Sequence, residues 1–260
     1  MKKSRVLKLV VHCCLGIFLF SSCHNELEDQ SFINLQDEYE LIIAQELSEA
    51  GGVAALQIRT IQELECSNYI IPYQLDLNQE DIKLILNKAS LEDQCVFPGG
   101  YITSQLNLDF HNAEKYISIL IQNIIDNSGT IIATDDHIHL ELSSNYGLKI
   151  SKAKINRIKI GMMWGHVHNG TQNSINRIHE LFVSIDNGKP LLPGDYGLFY
   201  VSNTADIQIY DSGSNQNHTY AMFSDSTYES IHNEILQIKE SDPSLVFNMT
   251  LFDGKTINVE

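Results

Sequence analysis

Positive charge is what this chain has least of. Against 33 Asp and Glu it carries only 17 Lys and Arg, a formal net charge of -16. Such a surface repels phosphate backbones and anionic lipid headgroups, which argues against nucleic acid as a partner. Long apolar runs are missing too. The first, Leu9–Phe20, covers 12 residues, whereas a helix crossing the hydrocarbon core needs about 20. Catalytic signatures are equally scarce. There is no Gly-x-Ser-x-Gly elbow, no P-loop, no Gly-x-Gly-x-x-Gly after a strand, no His-Glu-x-x-His and no Cys-x-x-Cys. A Ser-His-Asp triad has no fixed spacing and leaves no such trace. No repeat appears at solenoid periods. What remains is a folded composition, 43% hydrophobic with dispersed aromatics.

The short apolar run follows a basic start of Lys2, Lys3, Arg5 and Lys8, the pattern of a secretory signal. Directly after it comes Leu19-Phe20-Ser21-Ser22-Cys23. This order resembles the lipobox of bacterial lipoproteins, in which small residues precede a cysteine that is acylated and becomes the new N-terminus. Phe20 departs from the pattern, where leucine is usual. The resemblance implies a signal peptide over 1–22, lipidation at Cys23 and a membrane anchor through that lipid, since two or more acyl chains hold stably. His24 takes the place of the aspartate that resembles an inner-membrane retention signal, so the implied address is the outer membrane. Glu26, Glu28 and Asp29 resemble the acidic export tag of Bacteroidota-type lipoproteins, which would put the protein on the periplasmic or the cell-surface face. Removal of the signal takes four basic residues and no acid, leaving 13 against 33, a net charge of -20.

Cys13 and Cys14 leave with that signal, and Cys23 is taken by lipid. Cys66 and Cys95 then remain as one pair in a non-cytosolic compartment, which reads as a disulfide or else as two unrelated buried thiols.

Residues 23–36 are polar and acidic and read as a tether. Leu41, Ile42, Ala44 and Leu47 recur at helical spacing, predicting a short helix over 37–52 that ends at Gly51-Gly52. From Val53 the period becomes two, through Leu56, Ile58 and Thr60. Further short β-type runs start at Ile82, Tyr101, Tyr116, Thr130 and Ile138, between turn signals at Pro98-Gly99-Gly100, Asn127-Ser128-Gly129 and Asn145-Tyr146-Gly147. This spacing predicts a β-sandwich over 53–151. Cys66-Ser-Asn-Tyr, Cys95, Asn127-Ser128-Gly129 and Thr134-Asp135-Asp136-His137-Ile138 together resemble an Ig-like module of uncharacterised Bacteroidota-type lipoproteins. The resemblance implies a fold and no activity.

The second half predicts an α+β domain over 155–260. Ile155–His168 reads as a strand. Ile175, Ile178, Leu181, Phe182 and Ile185 make one apolar stripe of a helix over 173–187. Tyr196–Val201 and Ala205–Tyr210 read as strands, with His218–Ser224 as an additional one. Ser226-Thr-Tyr-Glu229 reads as a capping box for a helix carrying Ile231, Ile235 and Ile238 and stopped by Asp242-Pro243. Leu245–Leu251 and the C-terminal segment alternate again. The order β-α-β-β-α-β is the ferredoxin-like plan, which hosts many functions.

Two His-x-His pairs, His137/His139 and His166/His168, stand where chemistry could reside. Residues two apart on a strand share a face, so each pair could give a divalent metal two imidazoles, with further ligands still needed. Trp164, the only tryptophan, shares the face of the second pair. It either packs under the helix stripe or leads to a helix N-terminus able to hold an anion. Asp76, Asn78 and Glu80 have the spacing of a calcium loop, but Asp81 and Asn87 stand where glycine and glutamate are required, which makes the segment a solvated turn. Tyr69, Tyr73, Tyr101, Tyr196, Tyr200 and Tyr210 are either half-buried edge residues or a glycan- or protein-binding surface. The reading these features favour is a non-enzymatic, lipid-anchored envelope lipoprotein that binds an envelope protein or glycan and needs no cofactor. A metal-dependent hydrolase using His166 and His168, and a glycan-binding accessory protein, are the alternatives.

Overall fold

The computed structural model describes residues 38–210 and 218–260. The signal segment, Cys23 and the whole of the acidic tether lie outside the described residues. In chain order the strands begin with β1 (Tyr39–Ser48), β2 (Gly51–Thr60), β3 (Tyr69–Ile70), β4 (Tyr73–Leu77), β5 (Asp81–Leu86) and β6 (Ser90–Leu91). Then come β7 (Thr103–Asn107), β8 (Ala113–Ile121), β9 (Ile125–Ala133), β10 (His137–Leu142), β11 (Leu148–Lys152) and β12 (Lys154–Asn156). The remainder runs β13 (Met162–His168), α1 (Gln172–Ile185), β14 (Gly194–Asp195), β15 (Phe199–Val201), β16 (Ile207–Ile209), β17 (His218–Phe223), α2 (Tyr228–Ser241), β18 (Val246–Leu251) and β19 (Thr256–Val259).

Two sheets enclose the first core. One has the order β11-β1-β2-β7 and the other β12-β10-β9-β8-β5-β4. Side chains from both, including Leu41, Leu56, Leu84, Ile119, Ile131 and Leu148, share a single apolar cluster. Alternation drives this, because each strand sends every second residue inward. The disulfide between Cys66 and Cys95 is formed and ties the short β3–β6 ribbon.

The predicted helix over 37–52 is instead the first strand of this pair of sheets, so the β-sheet region begins at Tyr39 rather than Val53. Tyr39, Leu41 and Ile43 face the core at period two, and β1 pairs along its length with β2. The helical spacing was misleading because both faces of β1 are covered. On the outer face Glu40 lies opposite Arg59 on one side and Lys149 on the other. It accepts hydrogen bonds from Arg59 and the Ser151 hydroxyl and pairs with Lys149 at 3.2 Å. Burial opposes its ionisation, but these donors outweigh burial and hold Glu40 below the usual carboxylate range. Gly51-Gly52 ends no helix. It starts β2 after a tight turn, with Gly51 at φ 88°.

Asn127-Ser128-Gly129 is likewise no turn but the middle of β9. The buried Asn127 amide bonds both backbone groups of Tyr146, at 2.8 and 2.9 Å, and a Cβ at Gly129 would stand 1.9 Å from the Glu141 carbonyl oxygen. The turn between β8 and β9 lies at Gln122 and Asn123, both at positive φ.

The second core lies between the sheet β17-β13-β18-β19 and the two helices. Ile178 and Phe182 of α1 and Ile231, Ile235 and Ile238 of α2 pack on Met163, Val167, Phe247 and Met249. The sheet departs from the ferredoxin-like expectation. Its second and third strands in chain order were to be Tyr196–Val201 and Ala205–Tyr210, which instead form a separate three-stranded sheet, β14-β15-β16. His218–Phe223 takes the edge position beside β13, and α2 crosses over β13 to reach β18. Ile155–His168 is two strands, β12 in the first region and β13 in the second, broken at Arg157–Gly161. Thr227, not Ser226, caps α2, its hydroxyl accepting from Ser230 N–H. The described residues, from Glu38 onward, belong to one compact unit.

Gln45 links the regions. Its amide donates to the Tyr196 carbonyl at 2.7 Å and accepts from Ile158 N–H at 2.9 Å, while only 8% exposed. Replacing Gln45 by Leu strands both partners, and we expect a loss of about 2–4 kcal/mol in urea unfolding. A loss under about 1 kcal/mol would show that water replaces the amide. The loop of 29 residues closed by the disulfide predicts that Cys66→Ala/Cys95→Ala lowers stability by about 3–4 kcal/mol, and an unchanged urea midpoint would contradict it.

Candidate functional site

A cavity of about 590 Å³ opens where the β1–β2 turn, the loop after β7, the β9–β10 turn and the Arg157–Gly161 connection meet. The turns are locally determined. Thr134 Oγ1 accepts from the N–H groups of Asp136 and His137, which folds the β9–β10 corner. Asn112 sits at φ 38°, a conformation asparagine tolerates. Arg157 projects into this junction and is only 8% exposed. Its Nε donates to the Gly52 carbonyl at 2.8 Å. Nη1 donates to Asn112 Oδ1 and to the Thr134 carbonyl, each at 3.0 Å. Nη2 donates to His111 Nδ1. Burial lowers the Arg157 pKa and Asp135 counters it, yet no carboxylate forms an ion pair with the guanidinium among the described residues. Beside it Lys159 pairs with Asp136 at 2.6 Å and holds that carboxyl below its usual range.

Of the residues around Arg157, sequence reasoning singled out Gly52 only as a helix stop, and Thr134, Asp135 and Asp136 only within the Ig-like resemblance. The available signal was modest: four basic residues, Lys152, Lys154, Arg157 and Lys159, close together in a chain poor in basic residues.

The two histidine pairs fall elsewhere. His166 and His168 lie on the face of β13 away from the helices, their rings side by side with centroids 5.5 Å apart. They line a groove of about 260 Å³ with Asn248, Asn258 and Glu260. Burial, then the neighbouring His168, lowers the His166 pKa. His168 Nδ1 is buried without a hydrogen-bond partner. His137 and His139 face outward on β10, opposite the core residues Ile138 and Leu140. His137 Nδ1 is 3.2 Å from Thr134 Oγ1, and His139 is 3.6 Å from Glu141. Partial burial and Lys154 lower the His137 pKa. The pairs lie on different sheets, and among the described residues no three His, Cys, Asp or Glu side chains converge to hold a metal.

Trp164 does not pack under the helix stripe. It stacks on Phe199 at 5.2 Å, on the opposite face of β13. The N-terminus of α1 is filled from within the chain. Asp242 Oδ2 accepts from Thr171 N–H at 2.7 Å, and Oδ1 accepts from the Ser244 hydroxyl at 2.6 Å. The hydrogen bonds from Ser244 and Thr171 hold the Asp242 carboxyl far below its usual range. The segment between Asp76 and Asp81 is a hairpin turn, and Lys115 Nζ donates to its Asn78 carbonyl at 2.8 Å.

The six tyrosines form no common platform. Tyr196 is buried and stacked on Phe199 at 4.5 Å. Tyr101 is exposed beside Arg59, and Tyr69 and Tyr73 belong to β3 and β4. Tyr210 lies under Lys152, which bridges to Asp195 at 2.7 Å. Burial and then Asp195 push Tyr210 up to about 12.

Asp242 offers a pH test. Its folded pKa is depressed, so its contribution to stability is complete above the unfolded value near 4 and is lost as pH falls below it. Asp242→Asn should be less stable than the parent at neutral pH, and the gap should narrow steadily as pH falls from about 5 to about 2. A gap constant across that window would show that the carboxylate charge is not what holds the helix end. Family models, curated proteins and solved structures give no match to this chain.

Proposed function

We propose that the protein is a lipid-anchored lipoprotein of the outer membrane whose folded part is a non-enzymatic binding module. In this reading Cys23 carries the lipid, residues 23–36 form the tether, and an Ig-like β-sandwich followed by an α+β region presents the binding surface to an envelope protein or glycan. The observation that carries it is the pairing of the two cysteines beyond Cys23, as expected for a chain folded outside the reducing cytosol. The lipobox-like order ending at Cys23 supports the anchor. Among the described residues no helix is long and apolar enough to cross a membrane, so the lipid is the attachment this reading requires. Cys23→Ala should move the protein from the membrane fraction to the soluble fraction of the envelope. Equal partition of parent and variant would sink the anchor.

One observation favours metal binding as a second reading. The His168 Nδ1 atom lacks a partner beside the parallel ring of His166, an arrangement that a divalent cation would relieve. Stoichiometric zinc in the purified protein, lost in His166→Ala/His168→Ala, would establish it. Absence of zinc after dialysis against the ion would leave the groove as packing.

A further inference from the structure

A buried arginine normally meets a carboxylate, because taking a cation out of water is costly unless it is paired. Arg157 meets only neutral acceptors: the Gly52 and Thr134 carbonyls, the Asn112 amide and the His111 ring. These use four of the five guanidinium N–H groups. The fifth, on Nη2, has no acceptor among the described residues, and Arg157 lines the cavity of about 590 Å³. Since His111 accepts through Nδ1, its Nε2 carries the proton and is a donor. Lys159 lines the same cavity and commits its ammonium to a single acceptor, Asp136. Three hydrogen-bond donors, two of them cationic, thus border one cavity in a chain of net charge -16.

We propose that this cavity binds a small monoanionic carboxylate, held by the spare Nη2–H of Arg157 with the His111 Nε2–H and the Lys159 ammonium beside it. Two features select a single negative charge. Only one guanidinium N–H remains, too few for the bidentate grip that a dianion would draw from a free arginine. The exposed carboxylate of Asp135, held by the Asn112 amide, lies on the same wall and repels a second charge. The guanidinium is held rigid by its other four bonds, so little side-chain entropy is lost on binding. The inference deepens the binding-module reading by naming a ligand class, but it does not depend on acylation of Cys23.

Sodium acetate titrated into the purified full-length protein by calorimetry at constant ionic strength tests it, with sodium sulfate as the dianionic comparison. The expected result is saturable acetate binding, tighter than sulfate. Arg157→Gln should weaken acetate at least tenfold. Because that variant removes structural hydrogen bonds, two surface variants keep the test independent of folding. Lys159→Gln should weaken acetate severalfold, and Asp135→Asn should tighten it about threefold, the size expected on removing one screened like charge. No saturable acetate binding in either the parent or Asp135→Asn would overturn the proposal. So would sulfate binding tighter than acetate, or an affinity indifferent to Lys159 and Asp135. Failure of the anchor is read separately, by fractionation of Cys23→Ala.

Discussion

Everything in this fold turns on a polar clasp between the β1–β2 hairpin and residues 156–158. Gln45 reaches across to Ile158 and Tyr196, Arg157 reaches back to Gly52, and Gly52 N–H donates to the Ile158 carbonyl at 2.9 Å. Two glycines make the approach feasible. A Cβ at Gly52 would stand 2.0 Å from Gln45 Oε1, and one at Gly51 would stand 3.0 Å from the Ile158 carbonyl oxygen. Buried amide and guanidinium groups are expensive unless bonded, so the clasp specifies one arrangement more strongly than apolar contact would.

The clasp also explains why the cavity beside Arg157 lies where it does. Arg157 cannot satisfy four neutral acceptors without drawing four chain segments to one point. Segments that converge end-on, rather than face to face, leave space between them. The same guanidinium that organises the junction therefore retains a donor beside that space. Structural and binding roles coincide in one residue, as is common where a charge is buried with incomplete neutralisation.

The face of β13 opposite the helices shows a different economy. Trp164 and Met162 are covered by the small β14-β15-β16 sheet, while His166 and His168 continue the same face into an open groove. The α1 end that might have held an external anion is already occupied by Asp242. Chemistry suggested by residue type alone is in this way consumed by internal bonding.

Local signals were enough to place most strands, both helices and the cysteine pair. Alternation marked β2, β5, β8 and β10, and the stripes Ile175–Phe182 and Ile231–Ile238 marked the helices, because each face meets only one environment. The order around Cys23 is a property of sequence alone. Tertiary structure decided the rest. It turned β1 from a helical pattern into a strand, since both its faces are covered and its pairing with β2 outweighs local spacing. It made Asn127-Ser128-Gly129 a strand centre, because Tyr146 supplies the partners that the Asn127 amide needs. It kept the two histidine pairs on separate sheets. It also gathered His111, Asn112, Asp135 and Arg157, up to 46 residues apart in sequence, around one cavity. No local pattern encodes that gathering, because it depends on how turns from separate strands pack against the same buried charge.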